Sequence, residues 1–232
     1  MMQQQEPREG PAMFADRRDA GRQLAARLAP YAGLRPVVIA MPRGGVPVAA
    51  EVARRLGAPL DVIVVRKIGC PWQPELGIGA IAEGDVRVLN DELIAESGVG
   101  PQELEAVTAR ERVELARRVS RYRGERPQVP VKGRVAILVD DGLATGYTAR
   151  AAIAALRTRG AERVILAVPV APEDSVESMR ALADWVVVVE EPAWFFGIGE
   201  FYDDFSQTSD DEVVALLEAA AGRVSATSTV PT

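Results

Sequence analysis

The sequence predicts an α/β fold, a mainly parallel sheet flanked by helices, on three observations. Short, mostly apolar runs recur at residues 36–41, 60–65, 135–139, 163–171 and 185–189. Runs of this kind suit strands buried on both faces of a parallel sheet. Stretches with helical spacing separate several of them, and alternation of strand and helix is the mark of a parallel architecture. At 232 residues and 48% hydrophobic content, the chain can also bury one large core. A single domain over residues 13–222, its core about 13–191, is therefore expected rather than two equal units.

The run at 36–41 turns through Pro42-Arg43-Gly44-Gly45-Val46 into a helix. Gly44 and Gly45 allow backbone amides to approach a ligand closely, and the forked guanidinium of Arg43 suits phosphate oxygens. The next run, 60–65, leads into Arg66 and Lys67 and then into residues 68–77, whose Gly, Pro and polar content predicts a loop. Residues 78–83 and 86–89 read as a hairpin around a Gly84-Asp85 turn. From Asp91 to Arg126, arginines alternate with Glu103, Glu105, Glu111 and Glu114, the pattern of a solvated helix laced with ion pairs. Pro101 and Gly124 bracket a long helix there, so residues 91–125 form a helical insertion.

The run Val135 to Val139 holds no polar residue and ends in two carboxylates, Asp140 and Asp141. These emerge at the carboxyl edge of the sheet, where open α/β folds bind ligands. Neighbouring carboxylates accept hydrogen bonds from a vicinal diol and reach a divalent ion directly or through water. Gly142, Leu143, Ala144, Thr145, Gly146, Tyr147 and Thr148 follow, before a helix carrying Ala149, Ala152, Ile153 and Leu156 and stopping at Gly160. Hydroxyls of Thr145 and Thr148 beside a helix N-terminus suit a phosphate monoester, so the two ends of the loop match a ribose 5-phosphate. Neither a Walker A sequence nor G-x-G-x-x-G is present. The plainer alternative is an acidic turn with Thr148 as a helix N-cap.

The remaining elements are a strand at 163–171, a helix at 173–183 and a strand at 185–189. A C-terminal segment at 192–222 concentrates aromatics at Trp194, Phe195, Phe196, Phe201, Tyr202 and Phe205, and carries no Lys or Arg between Glu200 and Glu218. Rings of this kind either stack on a planar ligand or fill a local core. Residues 1–12 and 223–232 are polar and expected to be disordered.

Composition removes several classes of chemistry. Without histidine there is no His-based triad or His metal site, and the single Cys70 excludes an internal disulfide or a multi-cysteine zinc site. A net charge of −6 argues against nonspecific nucleic-acid binding. No run approaches the ~20 apolar residues that span a bilayer, and the N-terminus lacks a secretory apolar segment, so a cytoplasmic protein with no membrane partner is expected.

The residues 135–148 resemble the signature of the type I phosphoribosyltransferases, a hydrophobic strand, Asp-Asp, a variable stretch, Thr-Gly, one residue and Thr. Asp140, Asp141, Thr145, Gly146 and Thr148 match it, whereas Gly142, Ala144 and Tyr147 stand where members vary. Arg43-Gly44-Gly45 resembles the family's pyrophosphate loop, and Arg66 and Lys67 its basic entry to a mobile lid at 68–78. The segment 192–222 resembles the family's hood, similar in composition to a set of uncharacterised predicted phosphoribosyltransferases.

The resemblance implies the type I fold and Mg²⁺-dependent transfer from 5-phosphoribosyl 1-pyrophosphate (PRPP) to a base or amine. It gives Asp140 and Asp141 the ribose hydroxyls and the metal, and residues 142–148 the 5-phosphate. Arg43, Gly44 and Lys67 take pyrophosphate, Gly45 and Arg66 are further PRPP-binding residues, and Lys67 and the two aspartates form the catalytic set. Trp194, Phe195, Phe196 and Tyr202 become candidates for base contact. A cis Pro42–Arg43 peptide and a homodimer are further implications. Two alternatives stay open: a non-catalytic PRPP or nucleotide sensor, and a phosphatase using Asp140, which Asp-Asp in place of Asp-x-Asp disfavours.

Overall fold

The computed structural model describes residues 13–227. In chain order its elements are α1 (Arg17–Leu28), a 3-10 turn (Ala29–Leu34), β1 (Val37–Ala40), α2 (Gly45–Leu56), β2 (Leu60–Val62), β3 (Val65–Cys70), β4 (Gln73–Ala82) and β5 (Val86–Leu89). Then follow α3 (Asp91–Ser97), α4 (Pro101–Arg123), β6 (Val135–Val139), α5 (Tyr147–Thr158), β7 (Arg163–Val170), α6 (Glu173–Arg180), β8 (Trp185–Glu190), a 3-10 turn (Ile198–Phe201) and α7 (Asp210–Thr227).

Five parallel strands in the order β2-β1-β6-β7-β8 make the central sheet. Successive residues of its strands point into different cores, because side chains alternate across a strand. Val38 and Ala40 of β1 and Ile137 and Val139 of β6 join α1, α2 and α7 on one face. Val37, Ile39, Ala136 and Leu138 join α5 and α6 on the other. Burial on both faces explains why these strands read as unbroken apolar runs. The order reverses between β1 and β6, since the chain moves outward from β1 to β2 and later continues on the opposite side.

A second sheet, antiparallel and ordered β3-β4-β5, corrects two expectations. The run at 60–65 is not one strand. Ile63 N–H still donates to Ala40, but Val64 N–H turns to the Glu83 carboxylate, so the backbone changes partner after β2. Residues 68–77 are a strand hairpin rather than a loop, with Cys70 opposite Gln73 and the turn at Pro71-Trp72. Ile68 and Cys70 are buried with Ile78, Ile81, Val99 and Val107, which gives the segment its own small core. Gly69 there signals close approach rather than a turn, because a Cβ on it would lie 2.4 Å from the Pro74 carbonyl oxygen.

The hairpin turn at Gly84-Asp85 is as expected, both residues having positive φ, 83° and 57°. The insertion is two helices, since Gly98 in the left-handed region ends α3 before Pro101 opens α4. Glu114 binds Arg117 and Arg118 on its solvent side. The helix at 173–183 is shorter than expected, α6 ending at Arg180. α7 runs on to Thr227, so residues 223–227 continue a helix where disorder was expected, while 1–12 and 228–232 lie outside the described residues. α1 has no counterpart among the expected elements. Its buried side is Ala20, Gly21, Leu24, Ala25 and Leu28, so the Ala20–Leu24–Leu28 spacing and the Asp16 cap, which accepts from Asp19 N–H at 2.7 Å, are the signals the sequence carries for it. No described helix is long and apolar enough to cross a membrane.

Candidate functional site

The reversal of strand order between β1 and β6 leaves a crevice at their carboxyl ends, the place where ligands bind open α/β sheets. Both motif loops arise there. Met41 N–H donates to Val139 O at 2.9 Å, which continues the β1–β6 pairing into the loops. The Pro42–Arg43 peptide is cis. A Cβ on Gly44 would lie 1.9 Å from Asp141 Oδ2, and one on Gly45 2.7 Å from Val139 O and 2.8 Å from Asp140 Cα. The two glycines are thus the condition for the loops to touch. At the far end of the second loop, Gly146 is the N-cap of α5 with φ 76° and no side-chain cap, leaving the first turn of the helix without an internal partner.

The aspartates differ in their surroundings. Asp141 Oδ2 accepts from Arg17 Nε at 2.8 Å, and the two side chains are 13% and 11% exposed. Its backbone carbonyl accepts from the buried Tyr202 hydroxyl at 2.6 Å. Asp140 Oδ1 accepts from Asp141 N–H at 2.9 Å. Burial, and next the charge of Asp141, push the Asp140 carboxyl well above the usual aspartate range. Burial, and next the charge of Asp141, also push up the Tyr202 phenol, so it remains a neutral donor. Gly142 lies under the hood, since a Cβ there would meet Ile198 Cγ2 at 2.6 Å. Leu143 N–H donates to Val170 O at 2.9 Å and anchors the middle of the loop.

The structure brings together Gly44, Gly45, Asp140, Asp141 and Gly142. Ala144 and Thr145 are exposed, and Thr148 is half-buried. Asn90 donates to the Tyr147 hydroxyl, and Ser175 to the Ala144 carbonyl, so the loop is also held by α3's cap and by α6. The expected pyrophosphate cations are each engaged by an acid. Arg43 lies 3.5 Å from Asp210, which also accepts from Tyr122. Arg66 pairs with Glu111 at 2.7 Å, and Lys67 on β3 lies 3.6 Å from the Glu75 carboxylate and donates to the Glu75 backbone carbonyl at 3.0 Å. None of the three is within ion-pair distance of the two aspartates.

The hood aromatics divide. Trp194 and Phe196 are 73% and 66% exposed, and with Phe195 they line a cleft of about 440 Å³ beside Pro172, Glu173 and Pro192. Phe195 also stacks on Phe201, centroids 5.7 Å apart. Tyr202 is buried and gives its hydroxyl to the Asp141 backbone, leaving no open ring face toward the cleft. Arg17 is the site residue that sequence reading misses. It lies 124 positions from its partner, and an Arg17-Arg18 pair after a helix cap carries no signal of that pairing or of which arginine makes it.

Three comparisons with known proteins bear on this geometry. A family model described as the phosphoribosyl transferase domain matches residues 9–206. A Mycobacterium tuberculosis protein (strain H37Rv) with a provisional phosphoribosyl transferase name is 51% identical over 208 residues, 90% of this chain and 47% of its own length. Its counterpart in strain CDC 1551 / Oshkosh matches to the same extent. The chain therefore spans about half the length of these curated relatives. The crystal structure of TT1426 from Thermus thermophilus superposes with a TM-score of 0.75 at 47% identity, over 88% of this chain and 97% of that one.

Proposed function

The chain belongs to the phosphoribosyl transferase domain family, and from that premise we propose that it transfers the 5-phosphoribosyl group of PRPP to a nitrogenous base or amine. The observation that carries this reading is the meeting of two distant motifs at the sheet's switch point, Gly44 standing where any Cβ would strike Asp141. In the reaction the C1–O bond to pyrophosphate breaks, an acceptor nitrogen forms the C1–N bond and then sheds a proton. Asp140 and Asp141 accept the ribose hydroxyls, and the first turn of α5 with Thr145 and Thr148 receives the 5-phosphate. Gly44 and Gly45 give the pyrophosphate close access to backbone. Catalysis then rests on positioning and charge stabilisation, without a covalent nucleophile.

The donor set fits Mg²⁺, which takes oxygen ligands and typically uses one or two carboxylates together with substrate phosphates. Among the described residues no cluster of three or more acids, Cys or His is placed to hold a metal. Asp140 and Asp141 would hold the ion directly or through water. Magnesium would neutralise charge on the departing pyrophosphate. Trp194, Phe195 and Phe196 offer stacking surface for the acceptor.

A second reading, a non-catalytic sensor, draws on the ion pairs of Arg43, Arg66 and Lys67, which must be exchanged before those cations meet pyrophosphate. Pyrophosphate release from PRPP and Mg²⁺ across a panel of bases and amines separates the two. Release with at least one acceptor, lost in Asp140→Asn, supports the transferase. PRPP binding with no release on any acceptor favours the sensor.

A further inference from the structure

The ion pair between Arg17 and Asp141 has no place in the roles assigned above, and it sits where the two motif loops meet. Arg17 is the first residue of α1. Its Nε donates to Asp141 Oδ2 at 2.8 Å, its Nη1 donates to Ser206 O at 2.7 Å, and its guanidinium carbon lies 3.9 Å above the Phe205 ring. A Cβ on Gly44 would be 3.1 Å from the same Nε, so the guanidinium borders both loops. The segment that carries it is fixed to the hood. Phe14 N–H donates to Phe201 O at 3.0 Å, and Asp203 and Asp204 N–H donate to Phe14 and Ala15 carbonyls at 2.9 Å each.

We infer that Arg17 is a positioning residue for the ribose-binding carboxylates, holding Asp141 in the one orientation that serves a ligand. This rests on the transferase reading of the site. A guanidinium offers five donors in a planar fork. Stacked on Phe205 and tied to Ser206, Arg17 has little rotational freedom, so its Nε fixes the plane of the Asp141 carboxylate. One oxygen of Asp141 is thereby committed, and Oδ1 is the oxygen left for a ribose hydroxyl. The positive charge also offsets the repulsion of two adjacent carboxylates that would otherwise turn apart. Arg17 touches no reacting atom. Its effect on ligand passes through Asp141 and must disappear when Asp141 cannot carry charge.

Isothermal titration of PRPP with Mg²⁺ into the full chain tests this, using wild type, Arg17→Gln, Arg17→Lys, Asp141→Asn and each Arg17 variant combined with Asp141→Asn. Contacting residues couple on the scale of about tenfold in an equilibrium constant, so Arg17→Gln is expected to weaken binding by ~10-fold and Arg17→Lys, which keeps charge without the fork, by ~3-fold. In the Asp141→Asn background both substitutions are expected to change affinity by less than ~2-fold. If the glutamine variant does not fold, the lysine cycle decides alone. Arg18→Gln, which removes the neighbouring charge 3.8 Å from Glu212, should leave affinity unchanged and so separates this role from general support of α1. Losses that multiply in the double variants, or an Arg17→Lys variant that binds like wild type, overturn the inference and leave the transferase reading intact. Wild type that does not bind PRPP overturns both.

Discussion

At the residue scale, the two adjacent aspartates have opposite environments. Asp141 has Arg17 as a counter-ion, while Asp140 faces burial and the Asp141 charge, which push its carboxyl above the usual range. A folded-state pKa raised above the unfolded value contributes stability below the unfolded pKa and loses it as pH rises through the folded pKa. Ionised Asp140 therefore destabilises the fold near neutral pH. Asp140→Asn, which can still accept from Asp141 N–H, is expected to raise resistance to urea in metal-free buffer at neutral pH and to lose that advantage as pH falls toward the ordinary aspartate range. Lower stability of Asp140→Asn at neutral pH would contradict this environment. Stability held back at a binding residue is a common trade for function. The asymmetry is invisible in the sequence, which shows two like residues side by side. It arises from the burial of Asp140 and from Arg17, which a helix 124 positions earlier in the chain brings to Asp141.

At the scale of elements, the central strands β1 and β6 were legible because burial on both faces leaves no polar residue in them. The hairpin β3–β4 was not. Gly69, Pro71, Pro74 and Gly77 look like loop punctuation, yet Gly69 meets the Pro74 backbone across a bulged pairing and Gly77 lies against the Lys67 stem. Its two ends are unlike: Ile78 to Ala82 are buried, whereas Trp72 is 57% exposed and Gln73 to Glu75 are exposed with it. If the hairpin covers the sugar during turnover, closure excludes water and amide exchange slows. Hydrogen exchange should then slow at residues 71–77 on adding PRPP and Mg²⁺, with little change at 78–82, which are already buried. Unchanged exchange at the tip in protein saturated with ligand would remove the lid role from this element. The basic residues were legible as types but not as partners. Arg66 and Arg43 are held by Glu111 on α4 and Asp210 on α7, acids supplied by helices remote in sequence.

At the scale of the whole molecule, the site is a consequence of topology. The sheet's order places the loop after β1 and the loop after β6 on either side of one crevice, and the N-terminal segment with the hood closes over the second loop through Tyr202, Ile198 and Arg17. The Asp-Asp and Arg-Gly-Gly motifs were readable because each depends on a short local sequence. Their contact depends on strand order, and the closure on segments from both ends of the domain, neither of which a single local pattern encodes. The central claim is that these two loops form one site for PRPP. Calorimetric titration of PRPP with Mg²⁺ into wild type and into Asp140→Asn/Asp141→Asn tests it most directly. The account predicts saturable binding to wild type and a loss of at least ~1–3 kcal/mol in the folded double variant, the scale of leaving buried polar partners unsatisfied. Equal affinity in the two proteins would contradict it.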